Sequence, residues 1–232
     1  MTKTWTGRIG ALTAAAAALT FGHMAVAADL TPVVETTPEA QSIAPSQSPW
    51  QVRLRALGVV TNDAGSVDGI PGSDLSYSDS VTPELDITYF FTENLAAELI
   101  LGTTSSSVFT DGSIEGLGKV GKAWLLPPTL TFQYHFTDFG AFKPYVGAGV
   151  NYTLFYHQTT TGDFTDLDVK NKLGGALQIG FDYMIDKNWG FNFDVKKLFL
   201  EPDWSAKLNG TPISGKAKLD PWLIGAGVTY RF

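Results

Sequence analysis

Charged side chains recur at two-residue spacing in several stretches of the chain, as in Arg53 with Arg55 and Glu84 with Asp86. In an extended strand this spacing puts both side chains on the same face. Charges on a face turned into a confined space must pair, since an unpaired buried charge is costly. The pattern therefore predicts an ion-paired polar interior. Its members would be Arg53, Arg55, Lys196 and Arg231 with Glu84, Asp86, Glu98, Asp182 and Asp194.

Catalytic and metal-binding chemistry is poorly represented. The chain has no Cys, so a thiol nucleophile, a thiolate metal site and a disulfide scaffold are excluded. A lipid-modifying enzyme would need a Ser and a His in reach of each other. His135 and His157 have no Ser partner in register, and Asp163, Asp166 and Asp168 are typical of a solvated loop. We expect no enzyme, no cofactor and no metal.

Composition narrows the class of protein further. The 232 residues are 44% hydrophobic, 12% aromatic and only 17% charged, which argues against a wholly disordered chain. The net charge of −7 lacks the basic face that a nucleic-acid-binding protein requires, so we expect no nucleic-acid partner.

The N-terminal segment has the features of a secretory signal. Lys3 and Arg8 precede an apolar run at 9–21, and Ala25-Val26-Ala27 offers a cleavage site. A membrane anchor helix would need about 20 apolar residues, which this run does not have. We predict a signal peptide at 1–28 and, from its Pro, Ser and Thr content, a mobile tail at 29–49.

The remaining chain alternates between apolar and polar residues, as strands with two unlike faces do. Short links at 92–94, 137–142 and 186–188 alternate with long links at 61–80, 104–127, 157–172 and 198–217. This arrangement predicts an all-β fold over 50–232, an eight-stranded antiparallel transmembrane β-barrel with short periplasmic turns and four long extracellular loops. The eight alternating segments are 50–60, 81–91, 95–103, 128–136, 144–156, 173–185, 189–197 and 218–232.

A soluble β-sandwich would also alternate, but two features favour the barrel. The polar face holds mainly Gly, Thr and Asn with scattered charges, which suits a narrow lumen. Aromatic residues of the apolar face cluster beside the short turns and the termini, as in the girdle at a membrane interface. They are Trp50, Tyr89, Tyr134, Phe136, Tyr183, Trp189, Tyr230 and Phe232. We expect the outer membrane of a Gram-negative bacterium, contact with its lipid and lipopolysaccharide, and recognition of Phe232 by the assembly machinery.

Eight strands leave room in a barrel mainly for side chains, so a wide aqueous porin is excluded. The inward polar residues then form either a structural plug or the polar floor of a binding pocket, and the sequence leaves both open. The candidate lining or floor residues from this face are Arg53, Arg55, Glu84, Asp86, Glu98, Gln133, His135 and Lys196.

Two further features bear on a route for a solute. Pro127 and Pro128 cannot donate ladder hydrogen bonds, so the wall is either open between the third and fourth strands or the fourth strand starts late. The long links also carry large apolar residues, which would line a funnel, pack against each other or contact lipid. The candidate funnel residues are Phe109, Leu117, Trp124, Phe164, Phe199 and Trp204.

Two blocks, LPPTLTFQYHF at 126–136 and PYVGAGVNYT at 144–153, resemble the OmpW/AlkL family of small outer-membrane barrels, as does Trp50-Gln51-Val52-Arg53. The similarity covers about 50–232. It implies a monomeric eight-stranded barrel whose hydrophobic channel passes small apolar molecules through a lateral opening. It also implies an apolar residue, Ile100, near the channel floor.

One position departs from that family. Lys196 stands at an inward position where some members carry an aromatic residue, which argues against a sealed, apolar floor in this chain. The function that we predict is passive uptake of small hydrophobic molecules with lateral release into the membrane. The alternative is a plugged structural or adhesive barrel without transport.

Overall fold

The computed structural model describes residues 48–232. The predicted signal peptide at 1–28 and all but the last two residues of the predicted tail at 29–49 lie outside the described residues. Within 48–232 no helix is long and apolar enough to cross a membrane.

The described chain consists of strands and one short 3-10 helix at Glu115–Leu117. The strands are β1 Trp50–Val60, β2 Gly65–Val67, β3 Ser73–Tyr77, β4 Ser80–Phe90, β5 Leu95–Gly102, β6 Thr104–Gly112, β7 Lys119–Leu126, β8 Thr129–His135, β9 Phe142–Thr160, β10 Phe164–Val169, β11 Lys172–Met184, β12 Trp189–Phe199, β13 Asp203–Leu208, β14 Thr211–Ala217 and β15 Trp222–Arg231.

Eight of these strands form the predicted closed antiparallel barrel. Its neighbours in order are β1, β4, β5, β8, β9, β11, β12 and β15, and pairing of β15 with β1 closes the ring. Each of the eight overlaps one of the alternating sequence segments, so the predicted fold class is confirmed. Closure gives every barrel strand a neighbour on both sides, which is the condition for placing strands in hydrocarbon.

The two faces of the wall have the polarity of a membrane barrel. Arg53 and Thr131 point inward and are 0% exposed, whereas their neighbours Leu54 and Phe132 point outward and are 56% and 64% exposed. Large apolar side chains are stable on the outside because lipid, not water, surrounds them.

The aromatic residues near the short turns pack in pairs on the outer face. The rings of Trp50 and Tyr89 are 4.9 Å apart, and those of Trp189 and Tyr230 are 4.8 Å apart. Beside this girdle, Asp186 accepts hydrogen bonds from the backbone N–H of Asn188 (2.8 Å) and of Trp189 (2.7 Å). These donors hold the pKa of Asp186 below its usual value and fix the turn between β11 and β12.

The four long links are largely β-structure, which their Gly- and Ser-rich composition did not indicate. β3, β6 and β7 extend the barrel wall above β9, and β10, β13, β14 and β2 form a second, four-stranded sheet. We call these strands the outer cap. Their apolar residues bury one another in a common core of Val67, Leu75, Tyr77, Leu125, Val169, Leu200, Trp204, Ala206, Ala217 and Leu219.

Candidate functional site

A network of ion pairs closes the middle of the lumen. Arg53 is the central residue of its lower half, the half nearer the short turns. The Arg53 Nη2 atom lies 2.6 Å from Asp182 Oδ2, and Nη1 contacts Glu98 Oε2. Nη1 also donates to the hydroxyl of Thr88 at 3.2 Å. Arg53 and Glu98 are fully buried and Asp182 nearly so, which makes the loss of any of these pairs costly.

Arg55 and Lys196 form the upper half of the network. Arg55 Nη2 lies 2.8 Å from Glu84 and 2.6 Å from Asp86, and Nη1 lies 2.9 Å from Asp194. Lys196 Nζ lies 2.9 Å from Glu84 and 3.2 Å from Asp194. The inward Lys196 is therefore neutralised by two carboxylates, and its ammonium is part of a polar floor.

Gln133 and His135 also belong to this packed region. His135 Nε2 is 2.9 Å from Gln133 Oε1, and the rings of His135 and Tyr145 are 4.8 Å apart. Gln133 donates to Gln178 Oε1 at 3.0 Å. Arg231 instead places its guanidinium 3.9 Å from the centre of the Phe90 ring. We call the ion-paired residues together with Gln133, Tyr145 and His135 the polar plug.

A cavity of about 60 Å³ lies directly above the plug. Glu84 of the plug and Ile100, which is 3% exposed, line its lower end. Aliphatic residues form one part of the lining, from Leu57, Val59, Leu198, Leu200, Leu219, Pro221 and Leu223. Hydroxyl-bearing residues form another, from Thr61, Ser78, Ser80, Thr82, Thr104, Ser106, Thr129 and Thr153.

The barrel wall beside this cavity has an interrupted ladder. Pairing between β5 and β8 ends at Ile100 with Thr129, and pairing between β6 and β7 resumes at Thr104 with Leu125. Both stretches keep one register, so Gly102 stands opposite Pro127 within the interruption. Pro127 and Pro128 have no N–H group, so the proline side of the interruption offers no hydrogen-bond donor to β5.

The interruption is confined to one side of the proline segment. Along the other side β9 pairs with β8 up to Thr129 and, in the same register, with β7 from Leu126 to Trp124; an irregularity between Trp124 and Lys122 then shifts the register by one residue. The N–H of Tyr152 donates to the Pro128 carbonyl at 3.0 Å between these stretches. On the β9 side the wall therefore continues past the prolines as β7, while β8 itself begins at Thr129.

The candidate funnel residues do not line this cavity. Phe109, Leu117, Trp124 and Phe199 are 37–49% exposed, and Phe164 is 4% exposed within the cap. Trp204 is buried in the cap core. The apolar lining comes instead from Leu125, Leu198 and Leu200. The strands of the long links also place successive side chains on opposite faces of the sheet. A residue next to a cavity-lining residue therefore points away from the cavity.

A smaller void of about 30 Å³ lies within the cap, lined entirely by its core residues and their apolar neighbours. Tyr77 and Trp204 contribute to it. Burial raises the pKa of the Tyr77 hydroxyl, which donates to the Ala64 carbonyl at 3.1 Å and therefore remains neutral. The cap thus places apolar space above the main cavity.

Sequence reasoning missed much of the cavity lining, although a signal for it was present. Along β1 the inward residues change from polar, at Gln51, Arg53 and Arg55, to apolar, at Leu57 and Val59. That change marks the level at which the plug ends and the cavity begins. Reading the inward face alone, rather than the strand as a whole, would have found it.

A closed barrel with an apolar exterior, an aromatic girdle and a plugged lumen defines the chain as a small outer-membrane β-barrel protein. Residues 48–232 match the model of the OmpW family, and the chain belongs to that family. The membership agrees with the resemblance noted in its sequence blocks.

Individual relatives agree with this placement. The uncharacterized outer-membrane protein y4mB of Sinorhizobium fredii is 63% identical over 95% of both chains. Outer membrane protein AlkL of Ectopseudomonas oleovorans is 33% identical, over 70% of this chain and 71% of that protein. The crystal structure of the outer membrane protein OprG from Pseudomonas aeruginosa has a TM-score of 0.73 at 25% identity, covering 80% of this chain and 97% of that one.

Proposed function

We propose that this protein mediates passive uptake of small hydrophobic molecules across the outer membrane. A solute enters through the cap, occupies the cavity above the plug and leaves sideways into the bilayer. The observation that carries the proposal is the position of the cavity. Its lining includes Gly102 and Pro127, which face each other within the interrupted ladder.

A straight route to the periplasm is unfavourable. An apolar solute would have to separate the charges of the plug, and breaking a buried ion pair leaves an uncompensated charge at a cost of about 3–5 kcal/mol. Arg53 and Arg55 each contact at least two carboxylates, so several pairs would have to open together. Lateral release avoids the plug.

Passage requires the cavity to widen. Its volume of about 60 Å³ is smaller than the roughly 150 Å³ of an apolar cavity that takes up benzene. The interrupted ladder supplies a place where the wall can separate without breaking N–H···O bonds between β5 and the proline segment. We propose that the strands flanking Pro127 and Pro128 move apart as a solute passes.

Replacing Ile100 by Trp tests the cavity as part of the route. Ile100→Trp is expected to reduce uptake of an isotope-labelled apolar solute by intact cells to the rate of cells without the protein, because the indole occupies the lower end of the cavity. Leu99→Trp is the matched control, since Leu99 faces lipid and is 38% exposed. Equal, wild-type uptake by both correctly inserted variants would contradict the proposal.

The closed plug also favours a second candidate, a structural or adhesive barrel without transport. That candidate predicts no solute uptake above background, and a defect only in envelope integrity or surface attachment when the protein is absent. We propose no catalytic role. Among the contacts of the described residues, His135 bonds to Gln133 and His157 packs against Tyr156, so neither pairs with a Ser nucleophile.

A further inference from the structure

We propose that lipopolysaccharide of the outer leaflet binds through a phosphate group to Lys119 and Lys122, on the lipid-facing side of β7. This inference is independent of the proposed uptake function, since it concerns the outer surface of the wall and not the cavity. Three observations support it: the height of these lysines on the barrel, the aromatic rings beside them, and the absence of carboxylate partners for them among residues 48–232.

The outward face of β7 reaches the upper edge of the membrane. Trp124 is ten residues from Tyr134 of the lower girdle, along a wall that continues from β8 into β7 in one register. Ten residues rise about 25 Å in strands tilted by about 40°, which is the height of the apolar band of an outer-membrane barrel. Trp124 therefore marks the outer interface, as do other outward aromatic residues, Tyr152, Tyr156, Phe199 and Trp222.

Lys122 and Lys119 lie just above Trp124, at the level of lipid headgroups. Lys122 pairs with Ser107 and Lys119 with Phe109, so the two lysines stand opposite β6 positions that are two residues apart. Positions two residues apart in a strand are separated by about 7 Å. One phosphate spans about this distance when two of its oxygens each accept an N⁺–H···O⁻ bond.

Each of the two ammonium groups lies beside an aromatic ring. Lys122 Nζ is 5.1 Å from the centre of the Trp124 ring, and Lys119 Nζ is 5.9 Å from the centre of the Phe109 ring. Such contacts keep the aliphatic stem on apolar surface and the charge at the polar boundary. This arrangement also gives a role to two exposed aromatic residues that do not line the cavity.

The charge around this face also favours an anionic ligand. Positions 103–110, 119–126 and 152–160 contain no Asp or Glu, although the whole chain has 23 acidic and 16 basic residues. The first acidic residue farther along β6 is Asp111, toward the tip of the β6–β7 hairpin and away from the membrane.

Other lysines of the cap are neutralised within the protein. Four of them lie within 3.6 Å of a carboxylate oxygen, namely Lys170, Lys172, Lys207 and Lys218. Within residues 48–232 no ion pair involves Lys119 or Lys122, so their charges are available to an anion from outside the protein. At headgroup level in the outer leaflet, that anion is a lipid phosphate.

Native mass spectrometry of the protein purified from outer membranes in a neutral detergent tests the proposal. The probes are diphosphoryl lipid A, the anchor of lipopolysaccharide, and lipid A without phosphates, with EDTA present to prevent bridging by divalent cations. We expect tighter binding of the diphosphoryl form. Lys119→Gln/Lys122→Gln is expected to weaken its binding about 25-fold, since each lysine near an anionic lipid contributes about fivefold, and to leave the dephosphorylated form unaffected.

Lys170→Gln/Lys172→Gln is the matched control, because it removes the same charge from cap lysines that have carboxylate partners. Lys119→Arg/Lys122→Arg keeps both charges and should retain binding. The electrophoretic mobility of unheated samples reports whether each barrel is folded.

Three outcomes would overturn the proposal. The first is wild-type binding of diphosphoryl lipid A by Lys119→Gln/Lys122→Gln. The second is an equal loss in the control pair, which would indicate a general effect of net charge. The third is displacement of lipid A by inorganic phosphate at equal concentration, which would indicate a site for a free anion. None of these outcomes bears on solute uptake, so the two proposals fail separately.

Discussion

Oxidising the double variant Gly102→Cys/Pro127→Cys is expected to reduce uptake of an apolar solute to the rate of cells without the protein, and a reducing agent is expected to restore it. The two positions face each other in the interrupted ladder, so a disulfide would hold the wall closed where we propose that solutes leave. The chain has no Cys of its own, so no other disulfide can form within it.

The space around Gly102 accepts a side chain. A Cβ atom added at Gly102 has the Pro83 carbonyl oxygen as its nearest neighbour, at 3.5 Å, which is an ordinary contact. Each single Cys variant controls for the loss of the Gly or the Pro. The pair Leu99→Cys/Leu130→Cys controls for cross-linking as such, since these outward residues are paired where the ladder of β5 and β8 is intact.

Electrophoretic mobility under oxidising conditions reports whether each bond has formed. If the fully cross-linked Gly102/Pro127 variant still takes up solute at the wild-type rate, lateral release at this point is wrong. If the control pair abolishes uptake equally, the effect belongs to general stiffening of the barrel and lateral release loses its support.

Loss of Arg53 is expected to have the largest effect on stability. Arg53→Leu leaves Asp182 without its ion-pair partner inside the lumen and Glu98 with only the longer contact to Arg55, at 3.9 Å. Removing one member of a buried pair typically costs about 3–5 kcal/mol. We expect a decrease of that size in the free energy of unfolding, measured by urea titration in detergent micelles with Trp fluorescence.

The exposed ion pair of Lys170 with Asp168 in the cap supplies the comparison. Its side chains are 63% and 51% exposed, so Lys170→Leu is expected to change the free energy of unfolding by less than about 1 kcal/mol. Arg53→Lys keeps a charge but loses the planar guanidinium, and we expect a loss between those of the other two variants. A loss below about 1 kcal/mol for Arg53→Leu would show that the plug does not depend on this residue.

The residue pattern alone is enough to predict the barrel and the orientation of its wall. Alternation at period two is a local property that any extended strand expresses, so Arg53 could be assigned to the inner face and Leu54 to the outer face without knowledge of strand pairing. The aromatic residues beside the short turns followed in the same way. The eight segments and their faces agree with the closed barrel that the structure shows.

Which side chains contact one another depends on how the strands pair in the folded barrel. The partners of Arg53 lie 45 and 129 residues away, at Glu98 and Asp182, and no spacing within one segment specifies them. The composition of the long links predicts loops, and on that basis Trp124 and Phe199 are expected in a funnel. Cross-strand pairing continues the barrel's alternation into the cap and turns their neighbours inward instead.

The cavity and the interrupted ladder both depend on strand register. Pro127 is a position with no N–H donor, but whether the wall continues beyond it depends on β7 pairing with β9 from Leu126 to Trp124 in the register of β8. Local residue types fix the face and the hydrogen-bonding capacity of each position. Strand register, set by closure of the whole sheet, fixes which positions share a space, and therefore where the polar plug ends and apolar space begins.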